Sequence, residues 1–343
     1  MRRILIDDKL EELAKRFSQN LFSERRKDFT EPTTRLRRLC FFLRARGYDS
    51  KLSDYVENLH YYYRTILRLK PCEFKGWYEK CFDKLSDDDY TKEIVVNNDA
   101  NDNIYHLPGG KHQFNELVIW AMRYDDLREQ DIFPYLQELH INSCVYCNAQ
   151  YTVTLEDVMD EEGNNKKWVA LYQLDHFWPK SKYPFLCTTF FNLQPSCGNC
   201  NLHKGNNDGF FSIYTDSSDA KDLNPFWFEI YPVEKIDSVY GYKAENIEIK
   251  LCSHDVNLKA KHQEYFMVDD VYEHHRKEVE ETVVKLQFNT ASYRRQLQRS
   301  LSRLFPDGVE SPERFFWGHE MDENKVFERP LNKLIQDVVK FVK

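Results

Sequence analysis

The chain has 343 residues, of which 41% are hydrophobic, 15% aromatic and 30% charged. With only 11 glycines and 12 prolines it excludes collagen-like or long disordered tracts, and its length allows two or three modules rather than one small core. A net charge of -8 and a pI near 5.8 argue against a protein that coats nucleic acid indiscriminately, while leaving room for a local basic surface.

No apolar run approaches bilayer length, and the start, "MRRILIDDKLEELAK", is charged where a secretory signal would be apolar. The expectation is a cytoplasmic protein with no membrane partner. Nine cysteines include two CxxC pairs, a usage that reads as metal binding before disulfides in a reducing compartment. Cys40, Cys72, Cys81, Cys187 and Cys252 stand alone and read as buried or bystander thiols.

In chain order, Ile4, Leu10, Leu13, Phe17 and Leu21 recur at helical spacing, with acids early and bases late, and predict a first helix over 4–22. "TTRLRRLCFFLRARG", "LSDYVENLHYYYRTILRL" and "FNELVIWAMRYDDLREQDIFPYLQEL" predict further helices, and the turn-rich "HLPGGKHQF" separates two of them. Past Cys144 the character changes. "QYTVTL" and "KWVALYQL" are β-rich runs flanking the turn "EDVMDEEGNNKK", hence a hairpin. Aromatic-rich strands are expected between about 216 and 250, then long helices over 261–305 and a last helix in "NKLIQDVVKFVK". The fold class is therefore α+β and mostly helical: a helical N-terminal region over 1–140, a compact core over 141–215, and strands then helices over 216–343.

Cys144-Val-Tyr-Cys147 and Cys197-Gly-Asn-Cys200 each offer two thiolates able to share one ion. Four sulfurs around Zn²⁺ make a closed tetrahedral site, structural rather than catalytic. The residues between the pairs, 148–196, exceed an ordinary zinc-ribbon gap and must fold back to bring them together. Inside this clasp Asp175 and His176 end a predicted strand, Asn192 lies on a second extended segment, and Asn201 falls at the start of a helix.

The ordered set "LDHFWPKSKYP", "NLQPSC" and "CGNCNLHKG" resembles the HNH endonucleases, over about residues 141–212. The resemblance implies a ββα-metal core, a hairpin and a helix around one catalytic ion. Within the family, these motifs are similar to those of the PtuB-type HNH nucleases of bacterial anti-phage systems, Septu and retron-associated. It implies an endonuclease acting on nucleic acid, with double-stranded DNA the expected substrate and RNA the alternative, and an ABC-type ATPase as protein partner. Asp175 and Asn201 are then the protein ligands of Mg²⁺ or Mn²⁺, for which a carboxylate and an amide oxygen are suitably hard. His176, on the opposite side of its strand from Asp175, becomes the general base, an imidazole of ordinary pKa near 6.5. Asn192 matches the middle letter of the motif and would orient His176 through backbone hydrogen bonds. Many family members carry histidine at the third letter where this chain has Asn201; His203, two residues on, would point elsewhere.

Lys204, three residues after Asn201, reads either as a phosphate contact or as a solvated lysine, and so do Lys180 and Lys182. Phe177, Trp178 and Tyr183 read as small-core aromatics before base-stacking platforms. Gly205 reads as loosening or ending the helix turn. Between 141 and 215 five lysines face seven acids, a net of -2, so the core holds a polyanion poorly by itself. Basic segments in "SYRRQLQRSLSRLF" and "RRLCFFLRAR", or a partner, would have to compensate. The adjacent His274 and His275 diverge on a helix and take no role. The second reading is a zinc-stabilised binding module without catalysis.

Overall fold

The computed structural model describes residues 1–23, 25, 28–157, 167–232, 243–305 and 312–341. Three long helices, Asp8–Asn20, Pro32–Ala45 and Ser50–Ile66, build the N-terminal region. The first starts later than its periodicity suggests. Asp7 caps it by accepting Leu10 N–H at 2.9 Å, and Ile4–Leu5 instead form a short strand, β1.

The segment expected as one helix over 114–139 is broken. A helix Phe114–Ala121 ends at Arg123, whose φ of 62° is left-handed, and the chain resumes as a single turn Tyr124–Asp126, a wider π-turn Leu127–Asp131 and a helix Phe133–Glu138. A non-glycine residue keeps this conformation only when neighbours hold it. Here the Arg123 guanidinium donates to Thr30 O at 3.0 Å, pairs with Asp126 at 3.0 Å and lies 3.8 Å from the Phe29 ring centroid. The expected turn "HLPGGKHQF" also contains a strand: β3, Gly110–Gln113, pairs antiparallel with β2, Glu93–Val96.

The predicted hairpin is present as antiparallel strands β4, Thr154–Asp157, and β5, Lys167–Ala170, its turn lying outside the described residues. β6, Gln173–His176, pairs antiparallel with β7, Leu193–Ser196, and β7 runs into the helix Gly198–Lys204. β8, Tyr214–Thr215, pairs in parallel with β1. β9, Phe226–Pro232, and β10, Ile247–Ser253, form the aromatic-rich pair expected. The helices Val256–Phe266, Val268–Glu273, Arg276–Phe288, Ala291–Leu304 and Asn332–Phe341 complete the chain. His274 and His275 fall in the turn between two of these.

One continuous hydrophobic cluster joins the three regions, with Phe17, Phe42 and Phe114, Phe190 and Leu193, and Phe228, Tyr272 and Val338 all in it. The region 141–215 is thus packed from both sides. From the N-terminal side, Thr189 Oγ1 donates to Ile66 O at 2.9 Å, Phe190 N to Leu67 O at 2.9 Å and Asn115 Nδ2 to Ser181 O at 3.0 Å. From the C-terminal side, Tyr272 OH donates to Cys147 O at 2.7 Å and His262 Nε2 to Tyr146 O at 2.7 Å.

Candidate metal centre and active site

The two cysteine pairs meet. All four side chains are buried, and the Sγ atoms of Cys144, Cys147, Cys197 and Cys200 lie within 4.8 Å of one another. Zn–S bonds of ~2.3 Å would set tetrahedral sulfurs about 3.8 Å apart, so the cluster fits one Zn²⁺. Burial, together with the neighbouring thiols, holds the Cys144 thiol well above its ordinary pKa. Four thiolates cannot persist together there without a cation to neutralise them. Main-chain contacts shape the first turn: Asn148 N donates to Cys144 O at 2.8 Å, and Val145 N to Pro195 O at 3.3 Å, which ties the turn to β7.

The strand β6 places Asp175 and His176 on opposite faces, as its two-residue period requires. Asp175 is buried. Its carboxylate accepts from Tyr146 OH and faces the Lys204 ammonium, at 3.2 Å from Oδ1 and 3.1 Å from Oδ2. Tyr146 OH in turn accepts from Gln194 Nε2 at 2.7 Å, and Gln194 is the register partner of Asp175 across the β6–β7 pair. Burial raises the Asp175 pKa, and the Lys204 charge and the Tyr146 hydrogen bond oppose that rise. Since Tyr146 is a residue of the Cys144–Cys147 turn, the metal knuckle and the Asp175 carboxylate are one bonded unit.

Lys204 departs from the expectation of a phosphate contact or a solvated side chain. Only 1% exposed, it also donates to His176 O at 2.7 Å. The spacing that puts it on one helix face with Asn201 turns that face inward at Lys204. Asn201 is half-buried, and its Nδ2 donates to Gln173 Oε1, leaving Oδ1 as the remaining acceptor. Gly205 ends the helix with φ 53°, a left-handed conformation that favours glycine.

His176 is buried, and its Nε2 lies 2.9 Å from Cys187 O. A carbonyl only accepts, so Nε2 carries the proton and Nδ1 holds the lone pair of the neutral ring. Desolvation, reinforced by the Lys180 charge, pushes the His176 pKa down to about 3 instead of leaving it near 6.5. Its ring packs against Tyr124 at a centroid distance of 4.9 Å. Asn192 is buried behind the site, in a short 3-10 turn Phe190–Asn192 just before β7 and not on the expected extended segment. It brackets the loop after His176: Oδ1 accepts from Trp178 N at 2.7 Å, and Nδ2 donates to Trp178 O and Leu186 O, both at 3.0 Å. The main chain of Asn192 also accepts from Phe177 N at 2.8 Å, directly after His176.

Asp175, His176, Asn201, Gly205 and Lys180 line a common cavity of about 690 Å³. Lys182 does not line it and pairs with Asp208 at 3.2 Å on the surface. His203 is exposed, and the half-buried Trp178 and Tyr183 pack with Tyr78 against the edge of the core. Sequence reading missed Tyr146, Gln173, Gln194 and Tyr124. Only Tyr146 carried a local signal, its place inside CxxC. The others contribute through register or through a wall supplied by the N-terminal region.

Comparison with known proteins gives one partial likeness. The chain is 35% identical over 79 residues to the Septu protein PtuB of Bacillus thuringiensis. That match takes in 22% of this chain and 25% of the relative, so it spans a quarter of the relative's length. No family model matches the chain. No solved structure matches it either. Among the described residues, no helix is long and apolar enough to cross a membrane.

The donor set at Asp175 accommodates a hard divalent cation under one condition. A carboxylate has about four acceptor positions, and three contacts to Tyr146 and Lys204 already use this one. A cation taking Asp175 and Asn201 Oδ1 would compete with the Lys204 ammonium. Mg²⁺ or Mn²⁺ fits the hardness of these oxygens and retains waters for its other positions.

Proposed function

We propose that this chain is a metal-dependent endonuclease of the HNH type that hydrolyses phosphodiester bonds, with DNA the expected substrate. The observation that carries this reading is the pinned imidazole. His176 Nε2 is bonded to Cys187 O, and His176 and Asp175, from opposite faces of β6, open with Asn201 into one cavity. In this reading Cys144, Cys147, Cys197 and Cys200 hold a structural Zn²⁺, and Asp175 and Asn201 hold the catalytic Mg²⁺ or Mn²⁺. When bound, that ion supplies Lewis-acid stabilisation of phosphate charge.

The protein's own residues do the rest. His176 Nδ1 takes a proton from a water, and the hydroxide attacks phosphorus as the bond to the departing 3′-oxygen breaks. The products are a 5′-phosphate and, after the oxygen takes a proton from solvent, a 3′-hydroxyl. Burial keeps the imidazole neutral at physiological pH, and the negative phosphodiester entering the cavity raises its basicity. Asn192 keeps the Phe177–Trp178 loop from drifting and so fixes the direction of His176. The partial likeness to a Septu protein supports a role in anti-phage defence beside a protein partner, for which an ABC-type ATPase is the expectation. The excess of acids over lysines between 141 and 215 favours substrate delivered by that partner.

A second reading, a zinc-braced binding module without catalysis, draws on the Asp175–Lys204 pair, which gives the carboxylate a partner without any ion. Purified protein with plasmid and Mg²⁺ or Mn²⁺, alone and with the product of the neighbouring gene, separates the two. Cleavage lost in His176→Ala supports the nuclease. Equal cleavage by wild type and variant refutes the role of His176, and no cleavage with partner present favours the binding module. An RNA oligonucleotide run in parallel decides the substrate class.

A further inference from the structure

The wall of the cavity opposite β6 comes from the N-terminal region, to which the nuclease reading gives no part. The left-handed Arg123 redirects the chain so that Tyr124 and Arg128, on successive turns, reach that wall. Tyr124 is 2% exposed, with its OH donating to Leu174 O in β6 at 3.2 Å. Its ring is a hub. His176 packs on it, Lys180 Nζ sits 3.9 Å from its centroid, and Arg128 Cζ sits 5.9 Å from it. Cations are attracted to the face of an aromatic ring, which brings Lys180 and Arg128 together despite their like charge. Lys180 is held by burial, which lowers its pKa.

Arg128 is different. Its side chain is 48% exposed, and its ion pairs with Asp125 at 3.4 Å and Glu129 at 3.7 Å are long and solvent-facing. Such exposed pairs contribute little and yield readily to a better anion. A phosphodiester offers that anion, and a guanidinium can bind it with two parallel hydrogen bonds.

We infer that Arg128, with Lys180, forms a two-cation phosphate clamp around Tyr124 that binds the nucleic-acid backbone beside the reacting group. The inference rests on the nuclease reading for the identity of its ligand. It assigns the N-terminal region a direct share of the substrate site, and the clamp reads no base sequence because it touches only backbone.

The test measures binding apart from cleavage. Full-length wild type, Arg128→Gln, Lys180→Gln and the control Lys111→Gln, at an exposed lysine paired with Glu93, are titrated against a fluorescein-labelled 20-base-pair DNA, with no divalent ion added, at several salt concentrations. Losing one phosphate contact lowers the slope of log affinity against log salt by about 1. Arg128→Gln and Lys180→Gln are each expected to show that drop and a roughly 5- to 10-fold weaker Kd, with the Lys111→Gln slope unchanged. An unchanged Kd and slope in Arg128→Gln, or a wild type that does not bind the DNA, overturns the clamp. Cleavage assays on the same proteins keep the two proposals separable. A wild type that binds through Arg128 but does not cleave with Mg²⁺ or Mn²⁺ and the partner present sinks the hydrolytic reading and leaves the clamp standing.

Discussion

Replacing Lys204 by methionine tests how the candidate site is held together. The ammonium is 1% exposed and makes three contacts, to both Asp175 oxygens at 3.2 and 3.1 Å and to His176 O at 2.7 Å. Methionine fills similar volume but leaves the carboxylate with Tyr146 alone. Breaking a buried pair from one side destabilises by about 3–5 kcal/mol, because the remaining charge stays desolvated. With an unfolding entropy of ~2.1 cal/mol/K per residue, 343 residues convert that to a fall in Tm of about 4–7 °C. Adding Asp175→Asn removes the orphaned charge and should recover more than half of the loss. The pH dependence follows from the raised Asp175 pKa. A carboxyl whose folded pKa lies above its unfolded value contributes most below the unfolded value, and that contribution is lost as pH rises through the folded one. Lys204 restrains this loss, so the deficit of Lys204→Met should shrink as pH falls from 7.5 to 5.5. Thermal melts of the two variants at both pH values provide the measurement. A deficit under ~1 kcal/mol, or a double variant no better than the single one, would refute the claim that Lys204 neutralises Asp175.

Elemental analysis should find about one tightly held Zn²⁺ per chain, and Cys144→Ser or Cys197→Ser should lose it together with several degrees of Tm. Tyr146→Phe keeps the ring but removes the hydroxyl that bridges Gln194 and Asp175; it should reduce cleavage at least tenfold with the zinc content intact, and full activity would show the bridge to be dispensable. Burial pushes the His262 pKa down to about 3, so its contribution is full above 6.5 and is lost as pH falls toward the folded value. Urea titrations should therefore show wild type losing roughly 2 kcal/mol through His262 between pH 6.5 and 5, and His262→Gln showing a correspondingly flatter acid limb. Asn192→Ala unties three hydrogen bonds of the loop after His176 and should lower kcat more than it raises KM, measured with a supercoiled plasmid.

Much of this was legible from local pattern. The two CxxC pairs point to a shared meeting place because four thiolates complete one tetrahedral Zn²⁺ site. Strand alternation alone puts the adjacent Asp175 and His176 on opposite faces. Asn192 was legible as a bridge only through the family resemblance, which implies that the middle-letter asparagine ties a loop by main-chain hydrogen bonds. What the pattern does not contain is depth. Lys204 reads as an exposed lysine until β6 is laid over the helix Gly198–Lys204 and covers it. His176 reads as an imidazole of ordinary pKa until the N-terminal region closes over it with Tyr124. The break at Arg123 is invisible in periodicity, since the apolar spacing of 114–139 continues across it. The contacts that enforce it, Thr30 and Phe29, lie far away in sequence.

The same contacts suggest why so small a core carries two large helical regions. β6, β7 and one helix of seven residues cannot bury Asp175, Lys204, His176 and Asn192 from water on their own. The C-terminal region grips the first knuckle through His262 and Tyr272, and so holds Tyr146, whose hydroxyl fixes Asp175. The N-terminal region grips the loop from 181 to 190 and supplies Tyr124, which covers His176. Each flank thus positions one half of the site, the acid from one side and the imidazole from the other. A partner that shifted either flank by an ångström would misalign Asp175 and His176 without touching them, and misplacement on that scale can lower a rate by about a hundredfold.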